Sequence, residues 1–429
     1  MPQRPDYTQK FERIAQQTPF RHLPERERRI IRTLAHQHRF TLQELRTVSE
    51  IAQDLQMWQQ GDFLQYWPLT LSPAAGKQQK QRLIGELRAR WTSLRQQANR
   101  YPPGLKNTIE IVKPSAITQE KGRLGLGSCP VASPRTRCCN LLTLDAVDNC
   151  GYGCSYCSIQ SFFTDHQVFF DPEFSRKLET LEIDPQRVYH IGTGQSSDSL
   201  MWGNSHGVLD ALIAFAQRHP NVILELKTKS GNISHLLKQE IPANLICTWS
   251  LNPAVIVDHE EHGTASLARR LQAAETLAGE GAIVGFHFHP MIHFEGWEQA
   301  YSEIFQQVQQ RFSPDQVAMV SLGTLTYTKP VIRNIRVRGI PSQILKLPLE
   351  EADGKLSYPE PTKLALFRHA WHAFASAWQE RVFFYLCMEN QRLWKRVFGF
   401  DYDSNDAFEA AMKASYMTKI DACRRTTDD

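Results

Sequence analysis

Between about residue 140 and residue 322 short β-rich runs alternate with helical stretches, and this order restricts the fold more than any other feature of the chain. The runs are Leu141–Asp145, Arg187–Gly192, Val222–Lys227, Leu245–Ser250, Ile283–Phe288 and Val317–Leu322. Gly207–Arg218, Thr264–Gly279 and Trp297–Arg311 are the helical stretches between the later ones. Strands joined by helical crossovers lie parallel in one sheet. Six of them predict an α/β fold, a partial (β/α)6 TIM-like barrel, whose chemistry belongs at the C-terminal ends of its strands. Apolar stripes at helical spacing (Ile30, Ile31 and Leu34, then Leu42, Leu45, Val48, Ile51 and Leu55) predict helices over residues 24–60. A helix at Thr362–Trp378 and a strand at Val382–Leu386 follow the sheet, and a terminal helix with a frayed tail begins near Asp401. The expected division is a helical, basic region over 1–120, the barrel over 121–340 and a C-terminal extension over 341–429.

One loop directly after the first predicted strand reads LLTLDAVDNCGYGCSYCSIQSFF and spaces Cys150, Cys154 and Cys157 as C-x3-C-x2-C. Three thiolates this close can wrap one corner of a cubane cluster, with Gly151 and Gly153 letting the backbone fold tightly around it. Three ligands for four irons leave one iron open to the amino and carboxylate groups of S-adenosylmethionine. An electron from a [4Fe–4S] cluster then releases a 5′-deoxyadenosyl radical. With the aromatic Tyr156 just before the third cysteine, the loop is the signature of radical S-adenosylmethionine enzymes. The competing reading is zinc, which would want a fourth Cys or His ligand, usually in a second knuckle.

Beyond the loop, six stretches in order resemble the spore photoproduct lyase family: CSYCSIQ itself, GQSSDS (194–199), LKTKSGNISHLL (226–237), TWSLNP (248–253), ARRLQAAETLAGEGAIVGFHFHPMIHFEGWEQAY (268–301) and TYTKPVIRNI (326–335). The resemblance covers roughly residues 140–340. It implies a partial barrel and the radical reversal of a thymine lesion in DNA. Carried over by position, Ser196 and Asp198 would lie near the cofactor or lesion, Lys229 would meet the methionyl carboxylate, and Ser250 would line the cofactor site. Lys229 also qualifies on physical grounds, because an ammonium at a strand end beside a carboxylate makes a charge-assisted bond. The sequence departs from the family at two places. Gln195 stands where the family has the cysteine that gives a hydrogen atom to the thymine radical, and Ser158 stands where a tyrosine usually follows the third cluster cysteine. Of the family's tyrosine relay only Tyr156 remains.

The missing thiol makes the other cysteines candidates. Cys387 ends the run VFFYLC, where it could face the barrel mouth as hydrogen donor, and Cys138 and Cys139 come next. Cys129, Cys138 and Cys139 could also hold a second cluster, although the sequence shows no obvious fourth ligand; free thiols at the barrel rim, or a buried structural Cys387, are the plainer readings. His287 and His289 share one face of a strand, with His293 soon after, and read as polar filling of the barrel or as metal ligands.

A formal net charge of +4 is mild, but its distribution is uneven. Lys77, Lys80, Arg82, Arg88, Arg90, Arg95 and Arg100 crowd a predicted basic helix over 77–106, stopped by Tyr101-Pro102-Pro103-Gly104; its apolar positions are Leu83, Leu87, Trp91, Leu94 and Ala98. Arg333, Arg336 and Arg338, with Lys329, form a second patch on a strand-like ladder. Both suit DNA phosphates. Nine cysteines, an odd number, point to a reducing, cytoplasmic setting, and no apolar run approaches the roughly 20 residues of a membrane helix. A reductant such as flavodoxin or ferredoxin is the further expected partner. The alternatives are a radical enzyme acting on RNA, a peptide or a small molecule, and a non-catalytic nucleic-acid-binding iron–sulfur protein.

Overall fold

The structure is a computed structural model that describes residues 6–68, 76–102, 114–120, 122, 124–129, 135–159, 167–352 and 354–428. The chain forms two compact units. One comprises residues up to Arg100 together with Tyr327–Glu350; the other comprises Tyr101–Thr326 and Glu351–Asp429. The expected boundaries at 120 and 340 do not follow these units. Phe383–Leu386 pairs with Val317–Thr324 in the main sheet, so the C-terminal residues are part of the sheet unit and not an extension to it.

The first unit is helical. Tyr7–Gln16, Glu25–His38, Leu42–Met57, Lys77–Gln96 and Lys329–Arg338 are its longer helices. Thr41 and Glu44 form a capping box that starts the third, each side chain bonding the other's backbone N–H. Phe11, Ile31, Ala35, Phe40, Leu45, Val48 and Leu87 make a core without exposure to solvent. The basic helix ends at Gln96, because the chain turns extended at Gln97; positions 103–106 of the expected range lie outside the described residues. The segment read as a strand-like ladder is the helix Lys329–Arg338. Pro330 sits in its first turn, where a missing N–H costs nothing, and Val331 and Ile335, four apart, supply its buried stripe.

The second unit holds an α/β fold whose sheet curls as a half-barrel. Its strands are β1 (Gly127–Ser128), β2 (Leu142–Thr143), β3 (Tyr189–Thr193), β4 (Val222–Thr228), β5 (Leu245–Ser250), β6 (Val284–Met291), β7 (Val317–Thr324) and β8 (Phe383–Leu386). Each strand neighbours the next in the chain, and only the β1–β2 pair is antiparallel. Helices Val208–Arg218, Leu267–Gly279 and Trp297–Arg311 fill the β3–β4, β5–β6 and β6–β7 connections. Every residue of β7 is buried, as expected of a parallel strand covered on both faces. The single helix expected over Thr362–Trp378 is two, Glu360–Ala373 and Ser376–Arg381, because Phe374 and Ala375 take extended conformations. The terminal helix runs from Asn405 to Asp428. All parallel strands present their C-terminal ends to one rim, and the cysteine loop leaves β2 at that rim.

Candidate active site

The cysteine loop is held from beneath. Gly153–Cys154 pairs antiparallel with Glu261–His262, with Cys154 opposite Glu261, and Ser155 N–H donates to the Glu260 carbonyl at 2.8 Å. The Ser155 hydroxyl bonds the Glu260 carboxylate, which also accepts from Tyr101 Oη at 2.8 Å. The Tyr156 hydroxyl donates to the Glu261 carboxylate, which accepts from Asn252 at 2.9 Å and pairs with Arg270 at 2.5 Å, both charges fully buried. Arg270 reaches on to the carbonyls of Ser250 and Ala265, each at 2.8 Å. Burial pushes Glu261 up, but Arg270, Lys229 and the Tyr156 and Asn252 bonds outweigh it and hold the carboxyl below its usual range.

Above this base lies one pocket at the rim of the sheet. Cys150, Cys154 and Cys157 line it with Tyr156, and from the strand ends come Gln195, Ser196, Asp198, Lys229 and Ser250. The three expected cluster ligands and all four expected cofactor residues therefore meet in one place. Gly151 backs onto Met201 and Trp202 so closely that an added Cβ would lie 2.6 Å from the methionine. Gly194 has φ of +80° and leaves no room for a Cβ against the Lys227 carbonyl, 2.7 Å away. Burial raises the Cys150 thiol well above its ordinary range, and raises Cys154 to about 12 despite Lys229 nearby. A bound cation favours the thiolate forms of such buried thiols. Among the described residues no three His, Cys, Asp or Glu side chains stand ready to hold a metal ion, this loop included. A cubane places each thiolate on a different iron, so it asks for three separated corners and not for one shared ion.

The strand-end residues divide by role. The Asp198 carboxylate is buried and bonds Thr228 Oγ1 at 2.7 Å and the backbone N–H groups of Lys229, Leu200 and Met201 at 2.6, 3.1 and 2.9 Å. It fixes the end of β4 to the 194–201 turn and so aims Lys229. Ser196 is tied to Asp145 at 2.6 Å and to the Val147 carbonyl at 3.0 Å. The Lys229 ammonium stands 5.9 Å from the centre of the Tyr156 ring. Among the described residues the buried Ser250 hydroxyl, on the pocket wall, has no hydrogen-bond partner. An orphaned hydroxyl and an ammonium on the wall fit a polar, carboxylate-bearing cofactor.

Other expected residues go elsewhere. Cys387, Cys138 and Cys139 are not among the residues that line the pocket. His287 is an interior residue: its ring bonds Ser321 at 2.6 Å and Glu225 at 2.7 Å, and Glu225 also bonds His190 at 2.9 Å. His289 is half-buried nearby, its basicity suppressed first by desolvation and then by Lys227. In the helical unit Arg336 makes two bonds to the buried Asp54, at 2.7 and 2.9 Å, and Arg95 stacks on Trp91 at 4.7 Å. Arg82, Arg88 and Arg90 are exposed, but they too have partners: Glu86 for Arg82, Thr47 Oγ1 for Arg88, and the Gln65 and Tyr66 carbonyls for Arg90. Sequence reasoning missed Glu260, Glu261 and Arg270. The available signal was Arg270 itself, a charge on the apolar stripe of Leu267, Leu271 and Ala274.

A family model for spore photoproduct lyase matches residues 149–360. The chain is 34% identical over 217 residues to the spore photoproduct lyase of Geobacillus sp. (strain Y412MC61), a match covering 48% of this chain and 61% of that protein. To the spore photoproduct lyase of Bacillus subtilis (strain 168) it is 28% identical over 130 residues, 30% of this chain and 38% of the relative. The chain thus spans about three fifths or less of the curated relatives it matches. Among solved structures it is similar to a spore photoproduct lyase complexed with dinucleoside spore photoproduct, at TM-score 0.55 and 19% identity, covering 71% of this chain and 94% of that one. A mutant spore photoproduct lyase with bound AdoMet and dinucleoside spore photoproduct matches over the same shares at TM-score 0.53 and 19% identity. At that identity the structural likeness is one of fold. Across residues 149–360, in sequence and in fold, the chain is spore photoproduct lyase-like.

Proposed function

We propose that this chain is a radical S-adenosylmethionine enzyme that repairs or modifies a thymine-type lesion in DNA, on a (β/α)6 partial barrel to which β8 is added. The observation that carries the proposal is the single pocket joining Cys150, Cys154 and Cys157 to Lys229 and Ser250. Cys150, Cys154 and Cys157 would hold a [4Fe–4S] cluster, which together with S-adenosylmethionine supplies a 5′-deoxyadenosyl radical. Lys229 pairs with the methionyl carboxylate and Ser250 gives its orphaned hydroxyl to the same cofactor. Asp198 positions Lys229, and Tyr156, anchored by Glu261, positions the loop. Gln195 lines the pocket at the place of the family's donor thiol and has no S–H bond to give. It favours one second reading, the same scaffold acting on RNA, a peptide or a small molecule. Nine cysteines, none in a disulfide, support a reducing cytoplasm with a flavodoxin- or ferredoxin-like reductant. Among the described residues no helix is long and apolar enough to cross a membrane.

The test is anaerobic incubation of reconstituted protein with S-adenosylmethionine, dithionite and DNA containing spore photoproduct. The expected result is 5′-deoxyadenosine release stimulated by the DNA, with restored thymine–thymine steps recovered from the digested strand by mass spectrometry. Release without any response to DNA favours the second reading. No release at all overturns both.

A further inference from the structure

Most polar side chains of the pocket are already engaged. Asp198 and Ser196 hold the 194–201 turn, Thr228 Oγ1 bonds Asp198, and Lys229 and Ser250 are assigned to the cofactor. Gln195 and Lys227 line the same pocket and are half-buried. Among the described residues neither the Gln195 carboxamide nor the Lys227 ammonium makes a hydrogen bond or an ion pair. Polar groups withdrawn from water are hydrogen-bonded in nearly every case, so an amide and an ammonium left over in one pocket mark a ligand surface.

The fold sets the two side by side. The β3–β4 register pairs Thr193 with Leu226. At the next step a Cβ on Gly194 would lie 2.7 Å from the Lys227 carbonyl, which also receives Ser199 N–H at 3.2 Å. Gln195 therefore follows directly where the turn touches β4. On β4, Glu225, Lys227 and Lys229 share one face. Glu225 turns that face inward, since its carboxylate bonds His190 on β3, Thr248 on β5 and His287 on β6. Lys227 thus stands two residues, roughly 7 Å, deeper than Lys229, with the Glu225 carboxylate next below it.

Depth and charge restrict the ligand. A backbone phosphate stays near the surface of a nucleic acid, whereas a base turned out of its stack reaches into a pocket. A full negative charge on Lys227 would also face Glu225, so a neutral group rich in acceptors suits this floor better. A carboxamide donates and accepts side by side, and an ammonium only donates. Together they present donor, acceptor and donor, the complement of the C=O, N–H, C=O edge of a pyrimidine imide. We propose that Gln195 and Lys227 bind that imide edge of the substrate's thymine-type base, Lys227 donating to one ring carbonyl and Gln195 pairing with N3–H and the other carbonyl. This pairing rests on the proposed action on DNA and names how the base is held. It gives Gln195, which has no S–H bond to offer, a task without redox chemistry.

The test reads binding and not turnover. The reconstituted full chain with S-adenosylmethionine is titrated anaerobically with a short single-stranded DNA containing spore photoproduct. The same strand is then used with sulfur, a poor acceptor, in place of the C4 or the C2 oxygen, and with N3 methylated. The parent chain should bind each derivative about ten-fold more weakly. Lys227→Met should bind the unmodified strand ten- to hundred-fold more weakly and lose its response to one of the two sulfur derivatives, whereas Lys227→Arg, which keeps a donor, should retain both. Gln195→Leu should lose the response to N3 methylation, a coupling that a double-mutant cycle isolates. Circular dichroism and S-adenosylmethionine affinity check that the variants keep the pocket. Equal affinity of the parent for all four strands, or equal responses in parent and variants, would overturn the pairing and leave action on DNA standing, because 5′-deoxyadenosine release tests that separately. A loss in Lys227→Met that is the same for every strand would place the ammonium on a phosphate and overturn it too. A parent chain that binds S-adenosylmethionine but none of the strands would overturn the pairing together with action on DNA.

Discussion

Arg270 and Glu261 are the pair on which the cysteine loop rests, and both are without solvent exposure. Desolvating two ions costs several kcal/mol each, and only their mutual attraction and added bonds repay it. Arg270→Ala therefore leaves a buried carboxylate unpaired, and urea denaturation should show a loss of about 3–5 kcal/mol. Adding Glu261→Gln should recover part of that loss; no recovery would mean that Arg270 acts by filling space. Lys229 makes a different prediction. Lys229→Met should weaken S-adenosylmethionine binding roughly ten- to hundred-fold, the worth of one hydrogen bond to a charged group, with iron content unchanged. Unchanged affinity in equilibrium dialysis would remove Lys229 from the cofactor site. That the loop cysteines and Lys229 share one pocket was legible, because local spacing and strand-end position carry that information. Glu261 was not, because its partner Tyr156 lies 105 positions away and only the fold brings the two together.

Helix Lys329–Arg338 shows how an element misleads. Ile332, Arg333, Asn334, Ile335, Arg336, Val337 and Arg338 alternate enough to suggest a ladder, yet the buried residues are Val331 and Ile335, one helical turn apart. Arg336 reads as a phosphate ligand until Asp54, 282 positions earlier, is seen to hold it. Helix Lys77–Gln96 was legible as a helix, since Leu83 and Leu87 bury on one stripe, but not in which cations are free. Arg95 is stacked on Trp91, and Lys80 pairs with Glu44 at 2.8 Å. Arg82, Arg88 and Arg90 remain the phosphate candidates because they are exposed, although Arg82 pairs with Glu86 and Arg88 and Arg90 bond Thr47 and the Gln65 and Tyr66 carbonyls. Replacing all three with Ala should weaken duplex DNA binding and flatten its salt dependence, by about 0.9 in log–log slope for each phosphate no longer neutralised. Fluorescence anisotropy across a salt series reads this directly, and an unchanged slope would mark the helix as a solvated face.

At the scale of the whole sheet, the strand order was legible because buried parallel strands are continuous apolar runs, whereas the polar web inside them was not. His190 on β3, Glu225 on β4, Thr248 on β5, His287 on β6 and Ser321 on β7 bond across five neighbouring strands. The H-x-H pair at 287 and 289 reads as polar filling of the barrel, but nothing in the sequence names its partners, since His190, Glu225 and Ser321 sit on other strands. The web makes the fold sensitive to acid, and the sign can be worked out. Burial, with Lys227 and Lys229 nearby, pulls His287 from 6.5 to about 4 even though Glu225 opposes this. The unfolded chain therefore binds a proton near pH 6.5 that the folded chain refuses until about pH 4. Stability from this group is complete above the unfolded value and is lost as pH falls between the two, by on the order of 3 kcal/mol. His289, also lowered, adds in the same direction. Glu225 adds to it at still lower pH: burial raises it, but its bonds to His190 and His287 win and keep it below its ordinary range. Urea midpoints of the metal-free chain should fall steadily from pH 7 to pH 4.5, and His287→Gln, which cannot take up the proton, should flatten that fall while lowering the plateau at pH 7. A plateau unchanged between pH 7 and pH 5 in the parent chain would mean that the web opens to water and that His287 titrates normally.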